Sequence, residues 1–464
     1  MSIDTVLAQF LTAVRDEHTT LAKSLLDEHP ALTHDSIHAA AAVCDATTVR
    51  ALLEAVPSRA LDSAAPAAIP PLAYAVTSEL KRLLGVSEDA HVDTVRALLD
   101  AGADPNTTVP LPDVSSGIPV LYFPCVSNTV AVARLLLERG ARPDDGESLY
   151  HAAQHDHRPC LELLLEFGAN LSGAHPTNGN TPLHFLAAHT VSNELAPTVM
   201  RGMAWLLEHG ADPNVPSHRS ASGNALPGGS EMPLLRAAAS GFGEAVMRLF
   251  IDHGAVVDAP RGDGRTAYAM AVRAGNTSAA ECLARAGADA SQLSPVDQLL
   301  GKCAEADEAA ARAIIAHHPD VIVQSTSEDR QALGRAVMDD RADVARTMLA
   351  VGWPLDAEGE WGGTPLHWAV WNARVSMVRL LLQHGAPVNV RDTRYGSSPI
   401  AWAAHGSRWN DHGSDDEYVA ITTMLLDAGA TRAESFNFWN EALESFARPA
   451  VLRVLTERGF VPPA

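Results

Sequence analysis

Apolar residues recur in short blocks that close on Gly-Ala. The blocks read RALLDAGADPN at 96–106, RLLLERGARPD at 134–144, ELLLEFGANLS at 162–172 and AWLLEHGADPN at 204–214. They return as MRLFIDHGAVVD at 247–258, AECLARAGADA at 280–290, RLLLQHGAPVN at 379–389 and TMLLDAGATRA at 423–433. Apolar residues three and four apart predict a helix with one buried stripe. The glycine after each stripe predicts a left-handed C-cap. These glycines are 102, 140, 168, 210, 254, 287, 385 and 429, separated by 38, 28, 42, 44, 33, 98 and 44 residues. The gap of 98 holds two degenerate copies, IIAHHPDVI at 314–322 and TMLAVGWPLD at 347–356.

A second, shorter helix is predicted ahead of each stripe. Its clearest copies are GNTPLHFLAAHT (179–190), GGTPLHWAVWNA (362–373) and GSSPIAWAAHGS (396–407). Thr or Ser caps the helix, and Pro takes the first turn, where no N–H partner is needed. The small Ala pair lets neighbouring helices approach closely. One such unit buries too little apolar surface to fold alone, so stacking must supply the core.

The period of 33 with a T-P-L-H-x-A core resembles the ankyrin-repeat family. The resemblance covers nearly the whole chain and implies an all-α, curved ankyrin-repeat solenoid of about a dozen stacked helix-turn-helix repeats. Two arrays are expected, 1–290 with degenerate first units and 291–464, continuous with each other. Insertions are expected after Ala188, before Pro233 (216–231) and after His405, with the Ser/Gly/Pro-rich stretch 216–230 as a flexible loop. The stretch 107–120 is a Pro-rich connection between units.

Composition narrows the function. Lys and Arg number 34 against 56 Asp and Glu, a formal charge of −22. So acidic a surface repels phosphate backbones and argues against nucleic-acid or anionic-membrane binding. Five scattered Cys, none in C-x-x-C, argue against a disulfide framework or a Cys-based zinc site. The N-terminus lacks a basic segment before an apolar run, so no signal peptide is expected. A cytoplasmic monomer is the expectation.

The resemblance implies that the residue before each turn Gly, and those after each Ala pair, face a concave binding surface. That places Asn178, Asp263, Trp361 and Tyr395, then Gln154, His155, Arg273, Trp371, Asn372 and His405, on that face. Five of the eight Trp fall within 361–409. Aromatic rings interleaved with Arg are what interaction hot spots use. Trp361, Trp371, Asn372, Arg394, Tyr395, His405, Arg408 and Trp409 are therefore the expected partner-binding residues. Trp368 and Trp402, repeated in adjacent units, are expected to pack between helices. The insertion after His405 is expected to wall the patch.

No catalytic residue, metal or cofactor is assigned. G-x-S-x-G and P-loop patterns are absent. His151, His155, His157 and Cys160, and the set His405, Asp411, His412, Asp415 and Asp416, read as solvated or hydrogen-bonded groups rather than ligands. The His residues of T-P-L-H, His184 and His367, are structural in the family. The expected function is a non-catalytic module binding a protein or peptide. The alternative is a small-molecule binder or enzyme using the Trp/Arg/His cluster at 361–418, with His405 as general base and Arg394 and Arg408 holding an anionic substrate.

Overall fold

The computed structural model describes residues 3–63, 68–111, 114–189, 195–218 and 230–462. Residues 219–229 of the expected loop, and 190–194 of the insertion after Ala188, lie outside them. The chain forms two compact units, Met1–Gly264 and Arg265–Ala464. The 290/291 boundary read from the sequence falls inside the second, within the short 3₁₀ turn Ala290–Gln292. No helix among the described residues is long and apolar enough to cross a membrane.

Both units are built from antiparallel helix pairs. In the first unit Ser148–Gln154 pairs with Arg158–Glu166, and Pro182–Ala187 with Ala196–Glu208. In the second, Pro365–Trp371 pairs with Val375–Gln383, and Pro399–Trp409 with Asp415–Asp427. The stretch at 107–120 holds a two-stranded antiparallel hairpin, Thr108–Leu111 with Val114–Pro119, in which Thr108 faces Pro119.

The helix-ending motif explains the stacking. All eight glycines of the Gly-Ala steps have φ between 84° and 99°, a conformation that penalises any Cβ. Four residues before each one stands a fully buried apolar side chain: Leu98, Leu136, Leu164, Leu206, Phe250, Leu283, Leu381 and Leu425. Four residues after three of them stands an Asn that bonds the next repeat twice. Asn106 Nδ2 donates to the Gly140 carbonyl at 3.0 Å while its Oδ1 accepts from Arg142 N at 3.0 Å. Asn214 makes the same pair with Gly254 and Val256, and Asn389 with Gly429 and Thr431. Each amide thereby satisfies one carbonyl and one N–H of the neighbouring loop.

The T-P-L-H histidines tie repeats together from the other end. His367 Nε2 donates to the Ser397 carbonyl at 3.0 Å, which leaves Nδ1 to accept from Thr364 N at 3.1 Å and Thr364 Oγ1 at 2.8 Å. His184 repeats this with Thr181 and the Glu231 carbonyl. Burial pushes His367 down to about 4 and His184 to about 3, the latter helped by Arg236. Their folded pKa values lie below the unfolded value near 6.5, so between the two the unfolded chain binds more protons. Their stabilisation is complete above about pH 6.5 and is lost as pH falls towards the folded values. For His367 that amounts to about 3 kcal/mol. In H367Q the urea midpoint should therefore fall less steeply from pH 6.5 to 4 than in wild type. Parallel curves for the two proteins would refute the assignment.

Candidate binding site

The site grows from the repeat itself. Trp368 and Trp371 lie on the helix Pro365–Trp371, and Trp402 and His405 occupy the same positions one repeat later, on Pro399–Trp409. Stacking two repeats therefore stacks their rings. Trp402 meets Trp368 and Trp371 edge-on, with centroids 5.3 and 5.9 Å apart, and Trp371 lies parallel to His405 at 5.9 Å. Trp402 is 7% exposed and its Nε1 donates to Asp392 Oδ2 at 2.9 Å. Trp368 is half-buried, its Nε1 lies against Gly363, and that nitrogen has no hydrogen-bond partner among the described residues.

Two turn tips carry the next rings. Trp361 has φ 62°, an unusual backbone state for a bulky residue, and holds its indole 48% exposed, 6.0 Å from the Tyr395 ring. Gly362 follows with φ 72°; a Cβ there would strike the Thr393 hydroxyl and lie 2.8 Å from its backbone N. Asp392, 2% exposed, organises the other tip. It accepts from the backbone N–H groups of Arg394 (2.9 Å), Tyr395 (2.5 Å) and Ser397 (2.8 Å), as well as from the Trp402 indole. One carboxylate thus fixes the Tyr395 turn against the Trp402 helix.

The last wall comes from 437–446. Phe438 N donates to the Tyr395 carbonyl at 2.8 Å, and Arg391 bridges the carbonyls of Gly396 and Phe436 at 2.5 Å each. Gly396 has φ 67°, and a Cβ there would lie 2.6 Å from the Phe438 ring, so only glycine lets this segment seat. Trp439, 65% exposed, faces Tyr395 at 6.3 Å, and Phe446 meets His405 at 5.2 Å. Asn437 Oδ1 accepts from the N–H of Trp439 and Glu441, and its Nδ2 donates to Glu441 Oε2 at 2.7 Å. Together these residues enclose a cavity of about 360 Å³, with the exposed Trp361 and Trp439 among its walls.

Of the residues nominated from sequence, Trp361, Trp371, Tyr395 and His405 line this cavity; Asn372, Arg394, Arg408 and Trp409 do not. Asn372 Nδ2 closes its own helix on the Trp368 carbonyl at 3.1 Å. Arg394 lies over the Trp361 ring at 4.7 Å, and Arg408 over the exposed Trp409 at 5.4 Å. Trp368, Ser397, Ala401, Trp402, Asn437, Trp439, Glu441 and Phe446 complete the lining without having been nominated. The insertion after His405 is not the wall. Its helix continues to Trp409, and Asn410 and Tyr418 turn to the Trp371 carbonyl at 2.8 and 2.7 Å, capping that helix end. The signal for the true wall was the aromatic run Phe436, Phe438 and Trp439 after the last Gly-Ala step.

Other nominated positions are engaged elsewhere. Arg273 bridges the buried Asp297 and Asp329 at 2.7 and 2.6 Å. Asp263 pairs with Arg261, and Gln154 with His151. His157 Nδ1 donates to the Cys125 carbonyl, and the Cys160 thiol is buried against the Pro124 carbonyl. Asp415 pairs with Arg448 rather than joining His405. Among the described residues no three His, Cys, Asp or Glu side chains converge as a metal site. Burial lowers the pKa of His405 against an opposing pull from Glu441, and the ring makes no hydrogen bond among the described residues.

A family model for ankyrin repeats, in three copies, matches residues 121–217 and 300–409. The chain carries ankyrin repeats. Inversin-A of Xenopus laevis is 35% identical to this chain over 88 residues, 19% of the chain and 8% of that protein. The chain thus spans less than a tenth of that relative's length. The crystal structure of the human ASB11 ankyrin repeat domain matches with a TM-score of 0.38 at 24% identity, covering 55% of this chain and 98% of that one. The second stretch matched by the family model ends at Trp409, so the segment 437–446 that closes the cavity lies beyond it.

Proposed function

We propose that this chain is a non-catalytic binding protein whose second unit takes a side chain of a protein or peptide partner into the aromatic cavity. The carrying observation is the lining itself: eight of its twelve residues bear rings, two of them Trp with about half or more of their surface exposed. Rigid rings that are already ordered lose little entropy on contact, which is how interaction hot spots concentrate affinity. The face is formed by repeats of a protein-interaction module. A cytoplasmic monomer fits the reading; the five Cys are buried and scattered, as in a reducing compartment.

The cavity volume also sits at the low end of small-ligand pockets, roughly 300–1,000 Å³, which favours a small organic ligand as the second reading. Catalysis has less support. Among the described residues His405 stacks on Trp371 and meets Phe446 at a tilt, with no hydrogen-bonded partner to orient it as a base. Arg394 and Arg408 lie outside the lining.

Panning a displayed peptide library on the full chain tests the proposal. Enriched peptides should bind W439A at least ~30-fold more weakly, the loss expected of a hot-spot ring. Trp439 is exposed, so the variant should unfold at the wild-type urea midpoint. Unchanged affinity in W439A would contradict the site. Enrichment failing while a metabolite raises the melting temperature of wild type but not W439A would favour the second reading.

A further inference from the structure

The lining also indicates what kind of side chain enters. Aromatic faces carry negative quadrupole density and attract cations, most strongly when the cation is desolvated. Among the described residues, Glu441 is the only acid or base in the lining apart from His405; no Lys or Arg lines it. One Glu441 oxygen is held by Asn437, and the other makes no hydrogen bond among the described residues. His405 is half-buried, and burial disfavours its charged form. The chain already seats cations on rings of this patch: Arg394 lies 4.7 Å from the Trp361 ring centre and 5.5 Å from that of Tyr395, and Arg391 6.0 Å from that of Phe438. Its charge of −22 draws cations towards it.

The same lining discriminates among cations. A bare ammonium has three N–H donors and a strong hydration shell, and needs acceptors to replace that water. Here it would find one carboxylate, an amide and a serine among eight rings. A guanidinium would need a planar, bidentate partner, and Glu441 already gives one oxygen to Asn437. Methylation removes the donors, weakens hydration and spreads the charge over groups that pack on rings.

Resting on the binding reading above, we propose that the cavity is a cage for a methylated ammonium, carried on a trimethyllysine side chain of the partner. Trp361, Tyr395, Trp371 and Trp439 supply the ring walls, and Glu441 the counter-charge. Asn437 acts as a positioning residue, holding Glu441 and the Trp439 turn.

The test is a tryptophan-fluorescence titration of the full chain with short peptides that differ only at one lysine: trimethylated, unmodified, or replaced by its uncharged tert-butyl isostere. Tetramethylammonium and choline serve as free probes. Trimethyllysine should bind about tenfold or more tighter than either control. E441Q should narrow that preference several-fold, and W439A should abolish it, both at unchanged urea midpoints. Equal binding of the uncharged isostere would overturn the cation assignment while leaving the cavity as a binding site. Choline binding without peptide binding would overturn the protein source. If no ammonium probe binds while panned peptides still depend on Trp439, this inference falls and the binding reading stands. If panned peptides ignore Trp439 as well, both fall.

Discussion

Replacing Asp392 with alanine should destabilise the second unit by about 3–5 kcal/mol and open the cavity. Four donors converge on this buried carboxylate: three backbone N–H groups of the Tyr395 turn and the Trp402 indole. Hydrogen bonds to a charged group contribute about 1.5–3 kcal/mol each, and leaving buried donors unpaired adds a penalty. Water entering the gap restores part of this, which is why the total stays below the sum. Urea unfolding followed by Trp emission measures the loss, since five of the eight Trp lie within 361–409. D392A should also weaken any cavity ligand more than an exposed change such as W409A does, because Tyr395 and Trp402 lose their common anchor. A loss below about 1 kcal/mol would mean that ring packing alone orders the turn.

The second large effect lies in the first unit. Gly202→Ala should cost about 3 kcal/mol or more, at the upper end of overpacking effects. The helix Ala196–Glu208 crosses the end of Ser148–Gln154 so closely that a Cβ on Gly202 would overlap the Ala153 carbonyl oxygen and lie 2.8 Å from its carbon. The obstacle is backbone, so no rotamer change relieves it. Gly334 is the internal control. It is also helical and buried, yet a Cβ there meets nothing within 4 Å. Gly334→Ala should therefore stabilise by about 0.5–1 kcal/mol through helix propensity. Thermal unfolding of the two variants should shift in opposite directions; shifts of the same sign would mean that the close helix crossing is not what Gly202 serves.

The repeats were legible because their grammar is local. A buried apolar residue, a left-handed glycine four positions on and an Asn four beyond it fall at fixed spacings, and each has a local physical reason. The rings at 368, 371, 402 and 405 were legible for the same cause, since equivalent positions in adjacent repeats must stack. Trp402 was expected to pack and does, yet one of its faces also meets the cavity. What eluded sequence reasoning was not periodic. Segment 437–446 follows the last Gly-Ala step, where no register says which way it folds. Its seat depends on Gly396 having no Cβ and on Arg391 reaching two carbonyls, both long-range facts. Asp392 looked like one more acid in an acidic chain; only the fold brings four donors to it. Arg394 was read as facing a partner; it is exposed, and its guanidinium also lies over the neighbouring Trp361 ring.

The most direct test of the account is ¹⁹F NMR of the chain labelled with fluorotryptophan, titrated with a peptide enriched by panning. The account predicts shifts at Trp361, Trp368, Trp371, Trp402 and Trp439, which line the cavity, with Trp205 and Trp353, buried in helix packing, unmoved. A peptide that binds while leaving the cavity resonances in place, or that moves Trp205 or Trp353 instead, would contradict it.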